Sequence, residues 1–424
     1  MAWREWISGL RARRAAWETS RRLSRFWHAA LETSSYGGMG IEAPALDHAV
    51  RKDGFAHLAA FARLLGPGPP CAQLPAWVLP HDIDAWRAQA FASKQFWIWK
   101  PATSSCGEGI VVGDAERIQS CLQRSAQQAG VVQVYVDRPL LIGGLKFDLR
   151  CYFVVLETSR RGGAEPRLYM FLDGLARFAT RTYEGLHADM AGSSLCLSRH
   201  LTNYSLQQAP RSFWPGARGQ SLDAPFLEST DPLGAGGVDC AGRVFCHKWS
   251  AAAALEFIAS RATCDGVQLV DVPSWDEIGS ACASVLSHAF ASHRYRDWKP
   301  APKQPYFELF GVDVLIDARG RVKLLEVQRR PCLAPSSALD LRVKSEVLGG
   351  LDALLAAPGQ DTAPLGWRHL EMPTLELEGL RAREADSVVR EWRRVDMEIS
   401  RSVLKDRCAG ALALAEHEFY AQQY

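Results

Sequence analysis

Paired cysteines are missing from this chain: its 11 stand singly, at Cys71, Cys106, Cys121, Cys151, Cys196 and onward, with no CxxC and no disulfide-like rhythm. A disulfide framework is excluded, and a reduced cytosolic setting fits. Long apolar runs are missing too, none approaching the roughly 18 residues that a membrane helix needs. Net charge is nearly absent. With 49 Lys and Arg against 47 Asp and Glu, the formal balance is +2, which removes any bulk electrostatic case for nucleic acid. An acidic partner must be met locally. Apolar content, by contrast, is ample: 47% of 424 residues can fill the core of roughly two or three domains, or of one domain with appendages.

The stretch around which the rest is organised is Phe307 to Gln328, FELFGVDVLIDARGRVKLLEVQ. Apolar and β-branched runs flank Asp317-Ala318-Arg319-Gly320, the pattern of a hairpin. With Ala318 and Arg319 as the loop, Asp317 pairs with Gly320, and the two-residue period places Asp313, Leu324, Glu326 and Gln328 on one face. Three oxygen-bearing side chains then share a side, as a hard cation such as Mg²⁺ requires. The competing reading is a half-buried strand pair whose charges face water.

Upstream, the first 33 residues hold seven arginines, Arg4 to Arg25, against Glu5, Glu18 and Glu32, with Trp3, Trp6, Ile7 and Leu10 at helical spacing. This basic amphipathic helix reads as a docking helix, a transit segment or a surface for an acidic partner. A second helix from Arg51 to Leu65 stops at the linker Gly66-Pro67-Gly68-Pro69-Pro70. Phe96 to Lys100 reads as a buried strand, followed by the small-residue loop Ala102 to Gly109 and the strand Ile110-Val111-Val112. A flap of this kind lays backbone N–H groups over phosphates while Lys100 supplies charge; a plain hairpin turn is the alternative. After the strand Val131 to Val136, alternation in Lys146 to Val155 puts Lys146, Asp148 and Arg150 on one face, with Phe147, Leu149 and Cys151 behind. Three charges on one strand face are costly to bury unless paired or holding a charged ligand; a solvated face is the alternative. Leu168 to Phe178 reads as a strand pair turning at Asp173-Gly174 and delivering Arg177. His200 to Ser205 is dense in hydrogen-bonding groups, and a long Pro/Gly/Ser-rich loop runs from Gln208 to about Gly242. Near the end, Val388, Trp392, Val395, Ile399 and Val403 form a helical stripe, suited to its own core or to a partner.

The blocks Lys52-Asp53, KPATSSCGEGI, QVYV, PLLIGGLKFDLRCYFVV, DGLARFAT, HLTNYS, HKWS and the hairpin occur in an order that resembles the tubulin tyrosine ligase-like family, over residues 45 to 335. The resemblance implies an α+β, ATP-grasp fold, with antiparallel-rich sheets forming the nucleotide site and helical N- and C-terminal extensions. It divides the chain into 1–44, a basic helical extension; 45–130 and 131–357, the two parts of the ligase-like domain; and 358–424, a helical extension. It also implies ATP and Mg²⁺ as cofactors. Lys52, Lys100 and Lys146 serve the nucleotide, with Cys106 and Gly107 in the flap and adenine against the backbone of Gln133, Val134, Tyr135 and Val136. Asp148, Thr202 and Asn203 complete that site. Arg177, Ser205 and Lys248 hold the free amino acid, and Asp313, Glu326 and Gln328 carry the metal. Arg177, Lys146 and Glu326 are the implied catalytic residues.

The implied activity joins an amino acid to tubulin or another protein through an acyl phosphate, with no nucleophilic Ser or Cys. DGLARFAT and HLTNYS resemble the glutamate-adding members more than the tyrosine- or glycine-adding ones. Lys323, Arg329, Arg330, Arg211 and Arg218 offer local charge for an acidic tubulin tail. Gln328 departs from the family's usual Asn by one methylene, and Arg329-Arg330 follow it where relatives more often have an apolar or small residue and Ser. A second class of function therefore stands beside the ligase: a catalytically weak relative that binds tubulin, microtubules or nucleotide. The implied setting is cytoplasmic and cytoskeletal, cilium and basal body included.

Overall fold

In the computed structural model, which describes residues 72–101, 107–124, 129–157, 167–190, 197–203, 237–238, 244–245, 248–264, 271–292, 306–329, 331–333, 338–356, 363–364 and 366–371, the apolar runs become strands of antiparallel sheets packed by helices. The smaller sheet comprises β1 (Ala76–Leu79), β2 (Trp97–Pro101), β3 (Val111–Gly113) and β4 (Gly130–Val134), in the order β1-β4-β2-β3. Helices α1 (Ile83–Phe91) and α2 (Ala115–Arg124) cover one face, where Trp86, Trp97, Trp99, Ile118 and Val132 bury together. Gly130 allows β4 to lie against β2, because a Cβ there would sit 2.5 Å from the Lys100 carbonyl oxygen. Since β4 pairs with both β1 and β2, this sheet continues past residue 130, to Val134.

The larger sheet has seven strands. Its core order is β10 (Lys248–Ser250), β7 (Arg167–Thr182), β6 (Leu145–Glu157), β11 (Tyr306–Ile316), β12 (Val322–Arg329), with β5 (Leu141–Ile142) on β6 and β13 (Trp367–Leu370) on β7. A separate ribbon pairs β8 (Gly237–Val238) with β9 (Val244–Phe245). Short helices α3 (Leu186–Met190) and α4 (Leu197–His200) follow β7.

Strand alternation gives the large sheet two faces. Phe147, Leu149, Cys151, Phe153 and Val155 point to one, under α5 (Ala251–Cys264) and α6 (Trp275–Ser292). Tyr152, Val154 and Leu156 point to the other, under Leu339, Val343 and Val347 of α7 (Ala338–Ala356). Each fully buried aliphatic or aromatic side chain here stabilises the fold by about 1.5–3 kcal/mol relative to exposure.

Three expectations change. The hairpin turn is longer than two residues: Asp317 N donates to Arg321 O at 3.0 Å, while Asp317 Oδ1 accepts from Arg319 N and Arg321 N at 2.9 and 3.0 Å. The aspartate side chain builds its own turn, and Gly320 (φ 89°) completes it, where a Cβ would stand 1.6 Å from Asp271 O. Leu168 to Phe178 is one strand and not a turn-linked pair, because the register break between Cys151, opposite Gly174, and Phe153, opposite Met170, takes up Phe171 to Asp173 as a bulge. Part of the stretch beyond Pro358 is sheet, since Trp367–Leu370 pairs with β7 as far as Leu168. The N-terminal helices and the Val388 to Val403 stripe lie outside the described residues, as does most of the Gln208 to Gly242 loop.

Short bonds tie the two sheets together. Leu324 N donates to Ala72 O at 2.9 Å, Leu140 N to Ile316 O at 2.8 Å, and Ala318 N to Arg138 O at 2.8 Å. The end of the β11–β12 hairpin is thereby held against the segments that lead into and out of the small sheet.

Candidate active site

The charged face expected of β6 is present, and it is buried. Lys146, Asp148 and Arg150 expose 6%, 3% and 9% of their surface, a burial that ions tolerate only with partners. Cross-strand register supplies them. Arg150 stands opposite Asp313 of β11 and donates to both its oxygens, Nε to Oδ1 at 2.5 Å and Nη2 to Oδ2 at 3.0 Å. Asp148 stands opposite Arg177 of β7, which donates to it at 2.7 and 2.5 Å, while Thr202 Oγ1 donates to Asp148 Oδ2 at 2.7 Å. Arg177 Nη2 also lies 2.9 Å from Asp313 Oδ2, so one guanidinium joins the two carboxylates. Burial alone would raise the Asp313 pKa; Arg150 and Arg177 outweigh it and hold the carboxyl below its ordinary range.

Lys146 sits at the end of this row. Its Nζ donates to Tyr135 Oη at 3.0 Å and to His200 O at 2.8 Å, and Tyr135 Oη lies 3.0 Å from His200 Nδ1. Burial lowers its pKa from 10.5 to about 7, against the pull of Asp148 and Asp137. An anion beside it would reverse that shift. Lys100 of β2 reaches across from the small sheet, with Nζ 2.8 Å from Gln133 Oε1 and 3.4 Å from Leu325 O of β12. The site is therefore closed by both sheets.

The hairpin brings Asp313, Glu326 and Gln328 to one face, by a route that plain alternation does not predict. Val314 pairs with Leu324 and Asp313 with Glu326, so Leu325 is an extra residue, a β-bulge. The bulge inverts the phase of β12: Leu324 joins the apolar core with Val314 and Val327, not the carboxylate face, and Glu326 lands directly across from Asp313. Burial first, then the Asp313 charge, raise the Glu326 carboxyl above its usual range. Gln328 lies opposite Gly311, and its Nε2 donates to Glu326 Oε1. Among the described residues no three His, Cys, Asp or Glu side chains converge as a metal cluster. The donors present are two opposed carboxylates and one carboxamide, whose mutual repulsion a divalent cation would relieve. Such a set fits Mg²⁺, which keeps the rest of its shell for water and phosphate.

Lys248 lies opposite Arg177 in the β10–β7 register, buried, with Nζ 3.2 and 3.1 Å from the oxygens of Asp340. Asp340 and Lys344 of α7 carry no mark in the sequence beyond helical periodicity, and Arg150 shows there only as one member of an alternating strand. The N–H groups of Val134 and Tyr135 donate to Pro75 O and Phe96 O at 2.9 and 2.8 Å, so both are used within the fold. Val136 follows them, Asn203 is half-buried beside Thr202, and Gly107 opens a turn at φ 85°. Lys52, Cys106, Ser205, Arg211, Arg218 and Arg330 lie outside the described residues. No described helix is long and apolar enough to cross a membrane.

Compared with known proteins, residues 71–212 and 268–361 match the family described as the Tubulin-tyrosine ligase family. Tubulin monoglutamylase of Homo sapiens is 30% identical over 280 residues, which is 65% of this chain and 20% of that protein. Tubulin polyglutamylase of Homo sapiens is 29% identical over 290 residues, 66% and 19% of the two chains. A probable beta-tubulin polyglutamylase of Tetrahymena thermophila is 26% identical over 281 residues, 64% and 20%. The chain spans about a fifth of the length of these relatives. Every charged residue of the row except Lys248 falls within the matched segments.

Proposed function

The chain belongs to the tubulin-tyrosine ligase family, and from that premise we propose that it is an ATP- and Mg²⁺-dependent ligase joining free glutamate to a protein carboxylate, with an acidic tubulin tail as acceptor. The fold is read as an ATP-grasp arrangement, the small and large sheets clasping the nucleotide, and the place of action as the cytoskeleton. One observation carries this reading: among the described residues six cations, Lys100, Lys146, Arg150, Arg177, Lys248 and Lys344, gather at one end of a sheet face with the carboxylates Asp137, Asp148, Asp313, Glu326 and Asp340. Cations set this closely together on a largely buried face suit an anionic ligand.

ATP supplies the activation, its γ-phosphoryl group turning a carboxylate into an acyl donor while Mg²⁺ offsets phosphate charge. The chain's own residues position and neutralise. Lys100 and Lys146 approach from opposite sheets, suited to phosphates. Asp313, Glu326 and Gln328 would hold the metal. Arg177, fixed by Asp148 and Asp313, and Lys248 beside it suit the carboxylates of the incoming amino acid. Its amine then attacks the acyl carbon, the C–N bond forming as the C–O bond to phosphate breaks, with the amine proton released. Positioning and electrostatics suffice, and no covalent residue is assigned.

The test is incubation with stabilised microtubules, ATP, Mg²⁺ and each labelled amino acid, the tubulin tails being read by mass spectrometry. Glutamate should be incorporated; tyrosine or glycine in its place would correct the amino acid and keep the ligase. A second reading rests on Gln328, whose amide nitrogen faces Glu326. In a catalytically weak relative, that contact would stand in for the metal, and the chain would bind nucleotide or tubulin without transfer. ATP binding with no amino acid transferred to any acceptor would favour it.

A further inference from the structure

Tyr135, just past β4, and His200, the last residue of α4, are 6% and 1% exposed. Their polar groups meet on Lys146: Nζ donates to the Tyr135 hydroxyl at 3.0 Å and to the His200 carbonyl at 2.8 Å, and the same hydroxyl lies 3.0 Å from His200 Nδ1. The ammonium also stands 4.4 Å over the Tyr135 ring and 5.8 Å over that of Tyr183. Both rings meet the His200 imidazole edge to face, with centroids 5.9 and 5.4 Å apart. Core packing accounts for the rings. It does not account for a buried hydroxyl shared by a buried imidazole and an ammonium, since a phenylalanine would fill the same space with no polar atom to desolvate. Among the described residues these bonds use two of the three Lys146 N–H groups and leave one.

We propose that Tyr135, through its hydroxyl, and His200 are positioning residues for Lys146, fixing its ammonium so that the remaining N–H is kept for a nucleotide phosphate. The role belongs to the Tyr135 side chain, apart from any contact its backbone makes with adenine. A long, flexible lysine ordered before the ligand arrives gives up its rotamer freedom on folding, so that binding does not bear that cost. The two oxygen acceptors also favour the charged lysine against burial; Asp148 and Asp137 act in the same sense, and Lys100 opposes them. The inference rests on the ligase reading above and concerns how that site holds its phosphate-binding lysine.

The test is calorimetry of a non-hydrolysable ATP analogue with Mg²⁺ on the full chain at pH 7, in buffers of different ionisation enthalpy, which reads affinity and proton uptake together. Because Lys146 titrates at about 7, the parent should take up about half a proton. Tyr135→Phe keeps the ring and the backbone. It should weaken the analogue about tenfold, the scale of one charge-assisted bond, and raise the uptake toward about one proton, since an ammonium with one acceptor fewer titrates lower. His200→Leu should move both readings in the same direction by less, and His200→Asn, whose amide can accept from the hydroxyl, should recover most of the difference. Should Tyr135→Phe not fold, the two His200 variants carry the test. Parent values in the variants, or a lost affinity with the proton uptake unmoved, overturn the inference and leave the ligase reading standing. A parent chain that binds no analogue overturns both.

Discussion

One face of β6 carries two chemistries at nearly equal burial. Lys146, Asp148 and Arg150 occupy one end, while Tyr152, Val154 and Leu156 occupy the other at 1%, 0% and 1% exposure. Depth alone does not separate them; what lies opposite does. The apolar end meets Leu339, Val343 and Val347 of α7, and its burial stabilises the fold by removing area from water. The charged end meets Arg177 and Asp313 from the neighbouring strands, where Coulomb attraction roughly offsets desolvation. The first half holds the sheet together, and the second is held by it.

That division is most sharply tested at Asp148. Asp148→Ala leaves Arg177 without its two-pronged partner and should cost about 3–5 kcal/mol in urea unfolding. A loss below about 1 kcal/mol would mean that the charged end is not tied as described. Leu156→Ala, at the apolar end, should cost about 3 kcal/mol while ligation per folded molecule stays at the parent rate. A selective loss of ligation there would blur the two halves. Glu326→Gln should do the reverse, reducing ligation about a hundredfold, near 2.7 kcal/mol, with unfolding little changed. Ligation at the parent rate with stability unchanged removes Glu326 from the mechanism.

The Lys146 ammonium gives a pH signature. Because its folded pKa is about 7 and its unfolded value 10.5, the unfolded chain binds the extra proton between them, so this group makes stability rise with pH across that window and adds no slope below it. An anionic ligand should push the folded value back up. ATP binding near pH 8 should therefore take up close to one proton, seen by calorimetry in buffers of different ionisation enthalpy. The uptake should vanish in Lys146→Met; its persistence there would assign it to another group. The smallest effect is expected at Gln328. Gln328→Asn, with the shorter reach of the family's usual amide, should keep or raise ligation and lower the Mg²⁺ needed by a few-fold. A rise in the Mg²⁺ requirement would show that the longer side chain is the fitted one.

Alternation over Lys146 to Val155 was readable because a strand's side-chain period is local, and the structure places Phe147, Leu149 and Cys151 in the core as that period requires. The family blocks were readable for the same reason: each is a short run whose residue types sit together. The phase of β12 was not, since nothing in RVKLLEVQ marks Leu325 as the bulged residue until β11 is laid beside it. Nor was the turn, where the Asp317 carboxylate, not loop length, selects the geometry.

From its residues alone, this chain dictates which charges of β6 share a strand face, because period is a property of neighbours in sequence; that this face is buried came with the fold. Which ion meets which was decided only on folding. Asp313 is 163 residues from Arg150 and Asp340 is 92 from Lys248, and sheet register and the placement of α7 alone bring such pairs to hydrogen-bond distance. At those separations no local period operates, and the pairing energy exists only once both partners have left water.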